Sequence, residues 1–216
     1  DQSGTAMSLA LHHPRRVFPR GRRRYAVSGS PADCVALAAH LMQDERPQLL
    51  LSGINVGQNA GDDTNLSGTL GAALTGLMLR IPAIGLSQCF TGERRDIRWE
   101  AARAHLPHLL QALLQQGWRK ETVLSINIPD LPPEDVREAV WTRQAQRTIT
   151  GMKVEKRADL RGFDYYWLNL ARPQHEQASD DSDVAALQRG QISISCIGLD
   201  RSRETRQDGF ILPPVE

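Results

Sequence analysis

Residues 49–69 read LLLSGINVGQNAGDDTNLSGT and gather side chains suited to holding an anion. Ser67, Gly68 and Thr69 stand directly before a small-residue segment, LGAALTGLML, whose pattern predicts a helix. The start of a helix presents backbone N–H groups without partners and the positive end of the helix dipole. Phosphate oxygens bind at such places. Upstream, Asn55 and Asn59 lie four residues apart, each able to offer an oxygen or an NH₂ group. The stretch is not a Walker A loop, because no Gly-Lys-Ser/Thr follows. The spacing of Gly53, Gly57 and Gly61 is not that of a dinucleotide fingerprint either. Two readings remain open at this point: an anion cradle, or a strand-to-helix turn whose Ser and Asn residues only cap it.

The elements around the loop must place it. Leu49, Leu50 and Leu51 form an apolar run of the kind that fits a strand buried on both faces. Ser30-Pro31-Ala32-Asp33 reads as a helix start, with Ser30 as cap, Pro31 at the first helical position and Asp33 bonding back. That helix is expected to run to about Met42. Residues 25–27, 83–87 and 122–127 read as strands. Residues 97–116 read as an amphipathic helix on Leu106, Leu109, Leu110, Leu113 and Leu114, with a kink or restart at Pro107. The alternation of strands and helices predicts an α/β fold, a Rossmann-like, doubly wound, mostly parallel sheet, in which ligands collect beyond the carboxyl ends of the strands. After Pro129 the pattern changes to short strands at residues 140–143, 163–168 and 192–195, with a polar loop at 171–183. The chain is therefore divided into a core, residues 1–128, and a β-rich extension, residues 129–216, to which the resemblance named below adds an oligomerisation role.

Composition narrows the function. With 216 residues and 40% apolar content there is enough for one core. A net charge of +1 argues against a dedicated nucleic-acid binder. The arginines at positions 15, 16, 20, 22, 23 and 24 read as a solvated hairpin, with substrate steering as the alternative. Cys34, Cys89 and Cys196 lack metal or redox spacing and read as reduced core thiols. No apolar run approaches a membrane span and no signal peptide is visible, so a cytoplasmic protein is expected.

The combination SGIN-x-G-x-N, then SGT, a helix and IPAIGLS, resembles the SurE family of stationary-phase survival proteins. DQSGTAMSL, SGSPADCV, SINIPD, DYYWL and SDVAALQRGQISIS extend the resemblance over nearly the whole chain. It implies a phosphomonoesterase acting on nucleoside monophosphates with Mg²⁺ or Mn²⁺: a 5′-nucleotidase, with 3′-nucleotidase and exopolyphosphatase activity as further possibilities. Carried over residue by residue, it places Ser3 and Asn55 on the metal and Asn59, Ser67, Gly68 and Thr69 on the phosphate. The family's acidic pair at Asp62 and Asp63 is not used on the metal. The family's two metal aspartates would fall before residue 1. Catalytic residues therefore stay unassigned, and the expectation is weak metal binding and impaired activity for the chain as given. The resemblance also implies a homodimer or homotetramer built through the C-terminal region, with Tyr165, Tyr166 and Trp167 at a subunit interface. The competing readings are a non-catalytic phosphate- or nucleotide-binding or self-assembling remnant of that fold, and, more weakly, a cofactor-binding α/β domain.

Overall fold

A computed structural model of the chain describes residues 4–92, 97–172 and 178–202. Two short strands, β1 (Val17–Pro19) and β2 (Tyr25–Val27), pair antiparallel as a hairpin. Helix α1 (Pro31–Leu41) follows, then β3 (Leu50–Val56), a 3₁₀ turn (Gly61–Asn65), α2 (Gly68–Met78), β4 (Ala83–Gln88), α3 (Trp99–Gln116) and β5 (Thr122–Ile128). Beyond these come β6 (Ala139–Thr142), β7 (Gly151–Ala158), β8 (Asp164–Ala171), α4 (Asp183–Gln188) and β9 (Ile192–Gly198). The central sheet has the order β3-β4-β5-β9-β6. Strands β3, β4 and β5 are parallel, β9 runs antiparallel to β5, and β6 is parallel to β9.

Alternation along the strands explains the two helix layers. Ala83 and Val123 point to the face that packs on Ala73 and Leu74 of α2. Ile84, Leu86, Leu124 and Ile126 point to the other face, against Ala101, Ala102, Leu106 and Leu113 of α3. Helix α2 lies close to the sheet because its residues are small: Gly76 faces Leu50, and Gly85 of β4 leaves room for Leu70. The fold is thus the expected α/β class, with a mostly parallel core.

Several local expectations change. Residues 25–27 form a strand, but it pairs with β1 and not in the central sheet. Strand β3 is an edge strand, not one buried on both faces; Leu51 is 47% exposed. Helix α3 continues unbroken through Pro107, because packing of its apolar stripe on the sheet outweighs the lost hydrogen bond. Cys89 is buried in the core, Cys34 is partly covered and Cys196 is exposed, so only one thiol belongs to the interior. Strand β7 gave no sequence signal, since MKVEKRA is mostly charged. The segment after residue 128 divides: β6 and β9 complete the central sheet, whereas β7 and β8 form a separate two-stranded ribbon.

Candidate functional site

The cradle is built where β3 hands over to α2. Between Ser52↔Gly85 and Asn55↔Ser87 the register shifts, so Gly53 and Ile54 together oppose Leu86 alone. A bulge of this kind re-aims the residues after it. Gly53 has φ +130°, and a side chain there would collide with the Leu86 carbonyl. Asn55 follows, with Nδ2 donating to the Gly57 carbonyl at 2.8 Å. With Nδ2 so engaged, the amide Oδ1 is the acceptor that Asn55, a lining residue of the pocket, has to offer.

Ser67 caps α2: its Oγ accepts from the Leu70 N–H at 3.1 Å. The first helical bond runs from the Gly71 N–H to the Ser67 carbonyl. Gly68 and Thr69 therefore hold the two first-turn N–H groups that neither the helix nor the cap engages. The Ser67 and Thr69 hydroxyl protons are further donors at the same corner. A pocket of about 620 Å³ opens here, lined by Asn55, Gln58, Asn59, Asp63, Ser67, Gly68, Thr69, Leu168 and Arg172 among others.

Asn59 lines this pocket and also anchors the loop. It is 6% exposed, and Nδ2 donates to Ser87 Oγ at 2.7 Å. Its backbone N–H donates to Asn127 Oδ1 at 2.7 Å. One Asn59 amide N–H and its backbone N–H thus pin the loop to the ends of β4 and β5, and the second amide N–H is left for a ligand. The rest of the loop is tied just as firmly to the segment after β6. Asp183, 2% exposed, accepts from the Gly61 N–H through Oδ2 and the Ala145 N–H through Oδ1, both at 2.9 Å. Burial pushes the Asp183 carboxyl up; its bonds to the Ala145, Gly61 and Val184 N–H groups oppose this without cancelling it. Gln144 Nε2 donates to the Gly61 carbonyl, the Asp62 N–H donates to Thr148 Oγ1, and the Ile149 N–H donates to Asp62 Oδ2. Gly61, at φ +56°, sits against Thr148 with no room for a side chain. Asp63 pairs with Arg172 at 2.8 Å across the pocket.

Of the residues expected at the site, Asn55, Asn59, Ser67, Gly68 and Thr69 come together around one pocket. Ser3 lies outside the described residues. Arg172, Asp183, Asn127 and Ser87 were not foreseen. Ser87, Asn127 and Asp183 fall within IPAIGLS, SINIPD and SDVAALQRGQISIS, but the resemblance gave them no role. For a hard divalent cation, which prefers carboxylate oxygens, the donors on view do not suffice. Asn55 offers one neutral oxygen, and Asp63 is engaged by Arg172. Among the described residues no group of three or more His, Cys, Asp or Glu gathers as a cation site.

Residues 1–151 match the family described as "Survival protein SurE". The chain belongs to the SurE family. The "5'-nucleotidase SurE 1" of Burkholderia lata is 43% identical over 206 residues, covering 94% of this chain and 78% of that protein. The "5'-nucleotidase SurE" of Caulobacter vibrioides is 41% identical over 203 residues, covering 93% and 77%. The crystal structure of the SurE protein from Aquifex aeolicus superposes with a TM-score of 0.75 at 32% identity, covering 93% of this chain and 79% of that one. The cradle at Ser67–Gly68–Thr69 is thus set in a SurE-type α/β sheet.

Proposed function

We propose that this SurE-family chain is a nucleotidase, a phosphoric monoester hydrolase acting on nucleoside 5′-monophosphates, and that Ser67, Gly68 and Thr69 hold the phosphoryl oxygens. The observation that carries this reading is the pair of uncommitted N–H groups of Gly68 and Thr69, aimed with the α2 dipole into the pocket. In the hydrolysis, water oxygen bonds to phosphorus, the P–O bond to the nucleoside breaks, and the nucleoside leaves as its alcohol. Negative charge shifts over the phosphoryl oxygens during transfer, so donors fixed before the reaction stabilise it without reorganising. The ties from Asn59, Asp62 and Asp183 supply that fixity. The names of the relatives support 5′-nucleotidase activity. Action on 3′-phosphates or polyphosphate, and a Mg²⁺ or Mn²⁺ requirement served by Asn55 and Ser3, belong to the same proposal through the family resemblance.

The ribbon of β7 and β8 supports self-association into a homodimer or homotetramer. Every residue of β7 is exposed, and Tyr165, Tyr166 and Trp167 of β8 are 41–57% exposed. A lone two-stranded ribbon is marginally stable in water, so a second copy covering this face is the economical arrangement. Among the described residues no helix is long and apolar enough to cross a membrane. Three unpaired cysteines fit a reducing, cytoplasmic setting.

The test is release of inorganic phosphate from AMP with Mg²⁺ or Mn²⁺ supplied, compared with a Ser67→Ala/Thr69→Ala variant. The reading expects metal-stimulated release that the double substitution lowers about 10- to 100-fold, as for lost hydrogen bonds to a charged group. Equal rates in both proteins would remove the corner from the site.

A further inference from the structure

A second cavity adjoins the phosphate pocket and has no role in the chemistry above. Its volume is about 270 Å³, and it opens at the carboxyl ends of β4 and β5. Gln58 lines both cavities, so one side chain of the β3–α2 loop forms the partition between them. Behind it, a side chain at Gly57 would come within 3.5 Å of Phe90 Cε1 and 4.0 Å of Asn55 Nδ2. The Phe90 ring and the Asn55 amide thus flank the same glycine. Phe90 is half-buried and forms part of the second cavity's wall, with Leu131 and Leu187.

Its polar content is uneven. The Thr91 N–H and Oγ1–H both donate to Asp130 Oδ2, at 2.7 and 2.6 Å. The other carboxylate oxygen, Asp130 Oδ1, is buried and has no hydrogen-bond partner among the described residues. A buried carboxylate oxygen without a donor is unfavourable, and a ligand hydroxyl would relieve it. Apolar walls, one aromatic ring and one acceptor lacking a donor, next door to a phosphate cradle, match one class of ligand. A nucleoside has a flat base that stacks on aromatic rings and a ribose diol that donates to carboxylates.

The geometry points to this cavity as the nucleoside subsite of the enzyme: the base stacks on Phe90, and Asp130 Oδ1 accepts from the ribose hydroxyls, while the phosphate sits at Ser67–Thr69. This inference rests on the nucleotidase reading and adds the residues that select a nucleotide over other phosphate monoesters. Asp130 takes no part in holding the phosphate. Cys89, also in the wall, is inert there: burial, with the Asp130 charge beside it, pushes its thiol up to about 12.

Isothermal titration of the full chain with inorganic phosphate, ribose 5-phosphate and AMP tests this without needing turnover. The expected order is AMP tightest, then ribose 5-phosphate, then phosphate, with about tenfold between AMP and ribose 5-phosphate from stacking on one aromatic ring. Phe90→Ala should bring AMP down to the ribose 5-phosphate level. Asp130→Asn should weaken ribose 5-phosphate and AMP together and erase any preference for AMP over 2′-deoxy-AMP. In both variants the affinity for inorganic phosphate should stay unchanged, which also reports that they fold; Phe90→Leu provides a second variant that keeps the apolar volume. Phosphate binding with no gain for AMP in the wild type would overturn the subsite and leave the cradle standing. Variants that lose phosphate and AMP in equal proportion would overturn it too. No phosphate binding at all would take down the cradle, and the subsite with it.

Discussion

The pocket proposed to hold phosphate has two walls of opposite character. On the β3–α2 side, Asn59, Gly61, Ser67 and Gly68 are buried, and their loop is bonded to β4, β5, the 144–149 segment and Asp183. On the other side stand Leu168, Leu170 and Arg172, from β8 and the residue that follows it. The ribbon they belong to has mostly exposed residues and is tied to the loop through Asp63–Arg172 and the Asp62–Ile149 bond at its base. The first wall is fixed before any substrate arrives, as a cradle for developing charge must be. The second borrows little from the core, and its order depends on what else covers it. The proposal thus puts chemistry and assembly on elements of unlike stability, and substitutions should sort accordingly.

The largest effect is expected on the fixed wall at Asp183. Asp183→Ala leaves the N–H groups of Gly61, Ala145 and Val184 buried without acceptors and should cost about 3 kcal/mol or more, read by urea unfolding. A change under about 0.5 kcal/mol, the range of ordinary surface substitutions, would mean that the loop is not held from this side. Ser67→Ala should cost about 1 kcal/mol of stability through the lost cap, in addition to its effect on phosphate.

Asp33 caps α1 in a similar buried position, with a reciprocal box to Ser30. Burial pushes its carboxyl up, but the Ala10 and Ser30 N–H groups and the Arg15 guanidinium outweigh this and hold it below the ordinary value of 3.8. A depressed carboxylate contributes stability that is fully present above the unfolded value and is lost as pH falls through the folded one. Wild-type stability should therefore fall with acidification below pH 3.8 more steeply than that of Asp33→Asn, which should be about 1 kcal/mol less stable at neutral pH. Parallel acid-unfolding curves for the two proteins would contradict this.

The soft wall should give smaller numbers. A double-mutant cycle on Asp63 and Arg172 should return about 0.5–1 kcal/mol, since the guanidinium is 42% exposed and solvent screens the pair. Trp167→Ala should change monomer unfolding by less than about 0.5 kcal/mol, because the ring is half exposed, yet lower the apparent mass by light scattering. A loss of several kcal/mol from Trp167→Ala would erase the contrast between the two walls.

The same contrast governs what could be read from sequence. The capping box at Ser30 and Asp33, the Ser67 cap and the strands 83–87 and 122–127 were legible because local pattern and tertiary packing agree there. The bond from the Asn59 amide to Ser87 was not legible, because Ser87 lies 28 residues away on a neighbouring strand that only folding brings close. The tie from Asp183 to Gly61 spans 122 residues and leaves no local trace. Pro107 misled in the other direction, since helix α3 is stabilised by the sheet beneath it more than by its own backbone. Strand β7 escaped notice because a ribbon exposed on both faces need not alternate in hydrophobicity.

The central claim is that the Gly68 and Thr69 N–H groups are poised for phosphate before it binds. Titrating inorganic phosphate into the ¹⁵N-labelled chain and following amide shifts measures this directly. Saturable downfield shifts should concentrate at Gly68 and Thr69, with smaller ones at Asn55 and Gln58, and should disappear in Ser67→Ala/Thr69→Ala. Unmoved Gly68 and Thr69 amides, or shifts concentrated on the exposed arginines of the β1–β2 hairpin, would show that the anion is held somewhere else.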